Sequence, residues 1–476
     1  MAGAPPIGEI RGELHTGARV ISARVVEARP HTLLVDFPDG DRPADGEAFD
    51  RIELKCGDRT VVLGACVFWV HRPQPRRRKD DPSEGPGAGQ LVFRDDVHDF
   101  RGLFRGGAVI DLAHKVEQLP LIWRRQQLIR PSFKTYTAEL IYELQVFRAL
   151  LDEVDRGMEG ERQEQRVAIQ TVAIRAQYPS FCRFFEEKLA GLAEETRDLS
   201  KAESEQHGFY FRKQLWDIIL CSSFLARTNL KPRGYAGDST MMRMVYENEF
   251  QGPTIFSKFM HKHPIETPAA QAVRNRRSLI VKVISELRET RRTGAGRPLR
   301  VLSVACGPAR ELQDLLQTED DVRDVDLTLL DQDPVALAEA GEELTRIGQQ
   351  LGVSAEARFI RESVRTMLRN PRLPETLGRF DAIYSMGLFD YLTPPVAKAV
   401  LDKLYELVAP EGELVVGNFH HSNPTRHYMD YWMDWVLYYR GEDELLELAQ
   451  DLPGAECAIT FEETGSQMFL RVRRAR

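Results

Sequence analysis

The chain has few cysteines, and none of them form a C-x-x-C pair. The six lie scattered through 476 residues, at Cys56, Cys66, Cys182, Cys221, Cys306 and Cys457. This spacing does not predict a disulfide framework or a structural zinc site, so no metal is expected. The amino-terminal residues also lack the apolar core of a signal peptide. Both absences predict a protein of the reducing cytoplasm.

Long apolar runs and an excess of positive charge are missing as well. No run approaches 18 apolar residues, which argues against a transmembrane segment. The 64 Lys and Arg residues are outnumbered by 72 Asp and Glu, for a net charge of −8. Because nucleic-acid binding requires a basic surface, no nucleic-acid partner is expected. At 42% hydrophobic and 29% charged residues, a chain this long should divide into two to four domains.

The first part of the chain, residues 1–115, has the pattern of short strands. Runs rich in Val, Leu and Phe are separated by clusters of Gly, Pro and Asp. This spacing predicts a small β-barrel or sandwich. The expected strands are Ala18–Val26, Thr32–Phe37, Arg51–Lys55, Thr60–Val70, Gln90–Arg94 and Ala108–Leu112.

Two short motifs give this β region a resemblance to PilZ-type barrels, which bind cyclic di-GMP. Arg72 and Arg76 have the spacing of the R-x-x-x-R arm of that family. Asp95–Asp99 and Arg101-Gly102 occupy the place of its D/N-x-S-x-x-G motif, although no serine stands in register. The resemblance implies either a sensor of cyclic di-GMP or a degenerate barrel used for docking.

Residues 116–292 change to a helical period, with apolar residues at steps of three and four. An all-helical domain is expected, with helices at Thr135–Val154, Arg162–Ala176, Cys182–Glu195, Phe209–Arg227 and Ala269–Glu289. The segment His261–Pro264 is interpreted as a polar break before the last of these helices.

One loop of the helical region, Lys231–Asp238, combines a helix stop with two glycines, an aromatic residue and an acid. Glycines permit close approach of the backbone to a ligand, and such loops often carry function. We therefore expect the loop to close over a bound ligand, with Tyr235 and Asp238 as its contacts.

Residues 293–476 alternate between strands and helices. Helices between the first five strands imply a parallel sheet, whereas a short turn near Thr464 joins the last two as an antiparallel hairpin. The fold class is therefore α/β, with a Rossmann-like sheet. Its expected strands are Arg300–Ala305, Asp326–Asp331, Ala357–Ile360, Phe380–Ser385, Gly412–Asn418, Cys457–Glu462 and Gln467–Arg473.

The ends of the first two strands predict a nucleoside site. Ala305, Cys306 and Gly307 form a tight turn after the first strand, and Asp331 and Gln332 follow the second. An acid at that position can hold two ribose hydroxyls. The turn lacks the G-x-G-x-x-G spacing that a dinucleotide pyrophosphate requires. A nucleoside without phosphates fits better, and S-adenosylmethionine (SAM) is the predicted cofactor.

The third and fourth strand ends supply further candidates for cofactor contact. After the third strand, either Glu362 or Ser363 is expected to reach the adenine amino group. After the fourth, Ser385 and Gly387 are expected to line the cofactor side of the site. These assignments follow from the rule that ligands of open α/β sheets lie at the carboxyl ends of the strands.

Candidate catalytic residues follow the fourth and fifth strands. Asp390 and Tyr391 either reach the acceptor or cap the next helix. Asn418, His420 and His421 lie at the expected mouth of the site, where they suit acceptor positioning or proton removal. Polar loop positions without a catalytic role are the alternative for the two histidines.

The sheet region resembles class I methyltransferases along its full length. Four segments make this resemblance more specific, because together they indicate one subfamily. They are G-Y-A-G-D at Gly234–Asp238, S-V-A-C-G-P-A-R-E at Ser303–Glu311, Y-S-M-G-L-F-D-Y-L at Tyr384–Leu392 and G-N-F-H-H-S-N-P-T-R-H at Gly417–His427. Across residues 130–476 the chain resembles bacterial proteins of 3-hydroxypalmitic acid methyl ester biosynthesis, which produce a quorum signal.

The resemblance implies SAM-dependent O-methylation of a carboxylate on a small or fatty-acid-like acceptor. A carboxylate needs no strong base, so the histidines, Asn418 and Arg233 would hold it by hydrogen bonds and charge. Tyr235 and Asp238 would form the lid.

Two other functions stay open from the sequence. In the first, the methyl acceptor is a hydroxyl or a nitrogen of a peptide or other metabolite, and His420 or His421 acts as the base. In the second, the chain is a regulatory scaffold that binds SAM and passes the signal on through its β domain. Assembly as a homodimer also stays open.

Overall fold

The computed structural model describes residues 10–17, 19–28, 32–37, 40–56, 59–70, 89–93, 128–292 and 296–476. The chain forms two compact units, residues 1–127 and 128–476. The expected boundary between the helical region and the sheet region falls inside the second unit. The division into 1–115, 116–292 and 293–476 stays a prediction.

The first unit contains an antiparallel sheet in the order β4-β7-β8-β3-β2-β1-β5-β6. Its core holds alternate residues of the strands, among them Leu14, Val35, Ile52 and Phe68, because every second side chain points to one face. The strands are β1 (Arg11–Thr16), β2 (Arg19–Ala28), β3 (Thr32–Asp36), β4 (Ala48–Phe49), β5 (Arg51–Cys56), β6 (Arg59–Leu63), β7 (Cys66–Val70) and β8 (Gly89–Phe93).

The PilZ-type motifs lie outside the described residues. This applies to Arg72, Arg76, Asp95–Asp99 and Arg101-Gly102, and also to the expected strand Ala108–Leu112. The run expected as one strand, Thr60–Val70, is two strands that pair with different neighbours, β6 with β5 and β7 with β8. Closure of the sheet into a barrel and binding of cyclic di-GMP stay predictions.

The second unit begins with a helical region that packs around a core of aromatic side chains, including Phe133, Phe181, Phe185 and Phe211. Its helices are α1 (Pro131–Gly157), α2 (Gln163–Thr196), α3 (Lys201–Gln214), α4 (Trp216–Leu220), α5 (Ser223–Leu230), α6 (Ser239–Glu247), α7 (Ile255–Ile265) and α8 (Pro268–Arg292).

Three local expectations for the helical region are wrong. The two helices expected within 162–195 form the single helix α2, which continues through Pro179. The helix expected at Phe209–Arg227 is three helices, because Leu215 ends α3 and Ser222 caps α5. The supposed break His261–Pro264 lies within α7, where burial lowers the pKa of His261 and of His263 to about 4.

The predicted Rossmann-like sheet is confirmed. Its order is β11-β10-β9-β12-β13-β15-β14, with the first strand central and β15 antiparallel to both neighbours. The strands are β9 (Leu299–Val304), β10 (Val325–Asp331), β11 (Ala357–Arg361), β12 (Phe380–Ser385), β13 (Val408–Phe419), β14 (Ala455–Phe461) and β15 (Gln467–Arg474).

Helices cover both faces of this sheet, as the apolar strands require. Leu302 and Val304 face one core, whereas their neighbour Val301 faces the other. The helices are α9 (Leu312–Leu315), α10 (Glu319–Arg323), α11 (Pro334–Leu351), α12 (Val364–Arg369), α13 (Leu373–Leu377), α14 (Pro394–Glu406), α15 (Arg426–Trp432) and α16 (Glu442–Glu447). Among the described residues, no helix combines the length and apolarity needed to cross a bilayer.

Candidate functional site

A cavity of about 470 Å³ opens at the carboxyl ends of β9, β10 and β12. Loops of the sheet form its floor, and α6, α8 and the loop before α6 form the opposite wall. This is the edge at which ligands of open α/β sheets bind. The volume lies in the range of small-molecule sites.

The turn after β9 presents bare backbone to this cavity. Ala305 has φ +52°, Gly307 +56° and Ala309 +47°, so the chain is left-handed at three alternate positions. Ala305 thus adopts the conformation for which glycine is usually selected. A Cβ at Gly307 would meet no atom within 4 Å, because that position faces the open cavity. Cys306 lines the floor, and burial raises the pKa of its thiol.

Asp331 connects this turn to the end of β10. Its Oδ2 accepts the Gly307 N–H at 2.9 Å, and its Oδ1 accepts the Asp333 N–H at 2.9 Å. Asp331 does not cap the following helix, since Asp333 does so by accepting the Val335 N–H at 2.9 Å. Burial raises the pKa of Asp331. Its carboxylate lines the cavity beside the left-handed turn.

The two candidates after β11 separate clearly. Glu362 lines the cavity, as does Gln332 from the neighbouring strand end. Ser363 is not among the lining residues, because its Oγ caps α12 by accepting the Thr366 N–H at 3.2 Å. Of the two alternatives for adenine contact, the structure brings Glu362 to the site.

The candidates after β12 also divide. Gly387 lines the cavity. Ser385 does not, because it is buried within the sheet and its Oγ donates to the Val304 carbonyl at 2.8 Å. The predicted contact of Ser385 with the cofactor is therefore replaced by a bond between adjacent strands.

Asp390 and Tyr391 both line the cavity. Asp390 Oδ1 accepts the Phe419 N–H at 2.7 Å, and burial raises the pKa of this carboxyl to about 7. The Tyr391 hydroxyl accepts the indole N–H of Trp435 at 2.7 Å. These contacts place an acid and two aromatic rings on one side of the cavity.

Asn418, His420 and His421 are not brought to the cavity. Asn418 is buried, donates to the Tyr438 carbonyl at 3.0 Å and accepts a hydrogen bond from Arg440. His420 forms a hydrogen bond with Ser422 Oγ at 2.6 Å. Its ring contacts that of His421, with centroids 4.1 Å apart and the two planes tilted by 33°. Burial lowers the pKa of His420.

Tyr235 and Asp238 of the expected lid have different surroundings. Tyr235 lines the cavity. Asp238 is fully buried, and its two carboxylate oxygens share the single Nε–H of Arg227, at 2.7 and 2.9 Å. Asp238 also caps α6. Arg233 connects this loop to the end of β10, because its Nη1 donates a hydrogen bond to Asp333 Oδ2 at 2.7 Å.

Gly237 fits the loop closely against Tyr391 and Trp435. A Cβ at this position would lie 2.4 Å from the Tyr391 hydroxyl and 3.3 Å from Trp435 Cζ2. We expect Gly237→Ala to lower the free energy of unfolding by about 1–3 kcal/mol, as overpacking does. Urea denaturation checks this. The control Gly157→Ala, where a Cβ meets nothing within 4 Å, should not lower stability, and equal losses would contradict the close fit.

Several lining residues were not predicted. Met242, Tyr246, Val273 and Arg276 come from α6 and α8. The sequence leaves the aromatic segment 428–439 open between core packing and a wall for an apolar acceptor. Tyr428, Tyr431 and Trp432 pack in the helical core, and Trp435 belongs to that core and also lines the cavity. Helical periodicity marks a buried face but does not tell which buried residues border a cavity.

The first unit brings Glu13, His15 and Glu53 close enough to share a cation. Both carboxylates already bind side chains, because Glu13 accepts from Lys55 at 2.5 Å and Glu53 from Arg51 at 2.9 Å. These ion pairs account for the cluster without a metal.

Comparison with known proteins shows a similarity to one protein family in the region of the cavity. Residues 301–412 match the family model described as a methyltransferase domain. No curated protein matches the chain. The match covers β9 to the first part of β13, which includes the left-handed turn, Asp331, Glu362 and Asp390.

Among solved structures, the chain is similar to a possible exported protein from Bordetella parapertussis, with 16% identity over 60% of this chain and 96% of that one and a TM-score of 0.39. It is similar to magnesium protoporphyrin IX methyltransferase from Synechocystis, with 14% identity, coverages of 43% and 83% and a TM-score of 0.31. It is also similar to the N-methyltransferase NodS from Bradyrhizobium japonicum, with 16% identity over 43% of this chain and 96% of that one and a TM-score of 0.29.

The family match over residues 301–412 and the Rossmann-like strand order support a class I SAM-dependent methyltransferase domain. SAM is the cofactor of this class. The turn at 305–307 and the acid at Asp331 form a cradle for a nucleoside without a pyrophosphate, and they fit this cofactor.

Proposed function

We propose that the chain transfers a methyl group from SAM to the carboxylate of a small or fatty-acid-like acceptor, giving a methyl ester of the 3-hydroxy fatty acid type. The observation that carries the proposal is the cavity itself. It joins the nucleoside cradle at Gly307 and Asp331 to a wall formed by Asp390, Tyr391 and Trp435.

The chemistry requires alignment more than acid–base catalysis. A carboxylate oxygen attacks the sulfonium methyl group in line, the S–CH₃ bond breaks, and sulfur keeps the electron pair. The products are S-adenosylhomocysteine (SAH) and the ester. The protein must hold both partners and exclude water. Apolar lining by Met242, Val273, Leu388 and Trp435 suits an apolar acceptor.

Individual residues take the following roles in this proposal. Asp331 accepts the ribose hydroxyls, Glu362 accepts the adenine amino group, and Tyr235 covers the bound cofactor. Asn418 acts at a distance, since it binds Arg440, which in turn binds the carbonyl of Phe389 beside Asp390. We assign His420 and His421 no contact with the acceptor.

One observation favours a second candidate, methylation of a hydroxyl or a nitrogen. Such an acceptor must lose a proton, and Asp390, with a pKa of about 7, lines the cavity and can take it. In this candidate Asp390 replaces the two histidines as the base.

The acceptor type can be tested with SAM that carries a labelled methyl group, incubated with the full chain and a bacterial lipid extract. We expect label in the lipid fraction that mild alkali releases as methanol, because esters hydrolyse whereas methyl ethers and N-methyl groups do not. Alkali-stable label would overturn the carboxylate in favour of the second candidate. SAH binding without any turnover would favour the regulatory scaffold.

A further inference from the structure

We propose that Arg276 binds a carboxylate group of a ligand in the cavity, an inference that rests on the proposed function. Arg276 lies on α8 and lines the cavity opposite the loop after β12. Only 7% of its surface is exposed. It is thus a permanent positive charge that is buried at the site of the reaction.

The protein leaves this guanidinium short of partners. Its Nη1 donates to the Met386 carbonyl at 3.2 Å, its Nη2 contacts Met242 Sδ at 3.7 Å, and its buried Nε has no partner. Within the described part of the chain, no carboxylate forms an ion pair with it. A guanidinium carries five N–H donors, and burying it without an anion is costly.

Two other arginines of the second unit, Arg233 beside the cavity and the buried Arg440, differ in this respect. Arg233 binds Asp333 Oδ2 at 2.7 Å, and the buried Arg440 donates to the carbonyls of Phe389 and Leu392 and to Asn418. These side chains are held by the protein itself. Arg276 is held much less completely, so its remaining donors are available to a ligand.

The two acids of the cavity that the charge of Arg276 influences, Glu311 and Asp390, already have other hydrogen bonds. Glu311 Oε1 accepts the Tyr384 hydroxyl at 2.8 Å, and Asp390 Oδ1 accepts the Phe419 N–H at 2.7 Å. Both feel the charge of Arg276 from beyond the distance of an ion pair. Gly387 keeps the approach open, because a Cβ there would lie 3.3 Å from Arg276 Nη1.

A carboxylate is the group that a guanidinium recognises best, through two parallel N–H···O bonds. Two ligands of the proposed reaction carry one, namely the methionine part of SAM and the acceptor acid. The two sources are distinguished by ligands that differ only in this group, since 5′-methylthioadenosine keeps the nucleoside but lacks the amino acid.

The test uses Arg276→Met, which keeps much of the side-chain volume and removes the charge. Calorimetry on the full chain measures the affinities for SAH and for 5′-methylthioadenosine. On the SAH-saturated protein it measures the affinity for octanoate, which serves as a carboxylate probe. The control is Arg277→Met on the same helix. Arg277 lies outside the cavity and pairs with Asp314 at 2.8 Å.

If Arg276 binds the cofactor, the variant has an affinity for SAH that is about tenfold or more lower, whereas its affinity for 5′-methylthioadenosine stays within about twofold of the wild type. If it binds the acceptor, SAH is unchanged and the affinity for octanoate falls by a similar factor. Unchanged binding of both carboxylates overturns the inference, as does an equal loss of SAH and 5′-methylthioadenosine. Failure of the wild-type chain to bind SAH would instead overturn the proposed function.

A purely structural role of Arg276 gives a different pattern. In that case the melting temperature of the ligand-free variant falls while carboxylate affinity stays constant. We expect the reverse, because an apolar side chain in place of an unpaired buried charge does not destabilise the fold. Arg276→Lys keeps the positive charge but cannot form two parallel N–H···O bonds. Its affinity for the carboxylate ligand should lie between those of Arg276→Met and the wild type.

Discussion

Asp331→Ala is expected to lower the affinity of the chain for SAH by about 100-fold or more. Two hydrogen bonds from ribose hydroxyls to a buried carboxylate contribute about 1.5–3 kcal/mol each, and the substitution removes both. It also removes the acceptor of the Gly307 N–H, which lies 2.9 Å from Asp331 Oδ2. The turn that presents bare backbone to the cofactor is then no longer fixed. Isothermal titration of SAH measures the effect.

The matched control is Asp326→Ala. Asp326 lies at the opposite end of the same strand, is exposed, and pairs with Arg300 at 3.4 Å. Its removal should change the affinity for SAH by less than about twofold, since surface ion pairs contribute little. Retained affinity in Asp331→Ala, or equal losses in both variants, would contradict the assignment of the ribose site to Asp331.

Asp390→Asn is expected to make the stability of the chain less sensitive to pH between about 4 and 8. Burial raises the pKa of the Asp390 carboxyl in the folded state to about 7, whereas an unfolded Asp has a pKa of about 3.9. The folded state therefore holds this proton more tightly. The stabilisation is fully present below the unfolded pKa and is lost as the pH rises through the folded pKa. Three pKa units correspond to a loss on the order of 4 kcal/mol.

Urea unfolding at pH 5 and pH 8 measures about two thirds of this loss, on the order of 3 kcal/mol, because the unfolded carboxyl is already ionised at pH 5. Other acids with raised pKa values, such as Asp331 and Asp430, contribute to the slope of both proteins and cancel in the comparison. The charges of Arg276 and Arg440, which oppose the shift of Asp390, also remain in the variant. The control Asp402→Asn removes a half-exposed acid that pairs with Lys398, and it should follow the wild type. Identical pH profiles for wild type and Asp390→Asn would contradict a buried, proton-binding Asp390.

Much of the second unit could be predicted from its sequence, because parallel strands that are buried on both faces are apolar along their length. Each of the seven strands lies within a few residues of its expected position. Once the strands are known, the topology brings Gly307, Asp331 and Glu362 to one edge. The helical region was less predictable. Its boundaries depend on caps such as Ser200 and Ser222, and its core tolerates Pro179 within a helix.

The acceptor side shows why the rest of the site could not be predicted. Strand β13 extends to Phe419, and successive side chains of a strand point to opposite faces. Phe419 lines the cavity, whereas Asn418 points away from it to Arg440. A one-residue difference in register reverses the assignment. Arg274, Arg276 and Arg277 lie together on α8, and only the packed structure shows that Arg276 borders the cavity.

The central claim is that the cavity at the ends of β9, β10 and β12 is the SAM site. A crystal structure of the full chain with SAH tests it most directly. The prediction is that the ribose hydroxyls lie within hydrogen-bond distance of the Asp331 carboxylate, with adenine beside Glu362 and the sulfur facing Asp390 and Tyr391. SAH bound elsewhere, or a ribose without contact to Asp331, would contradict the claim.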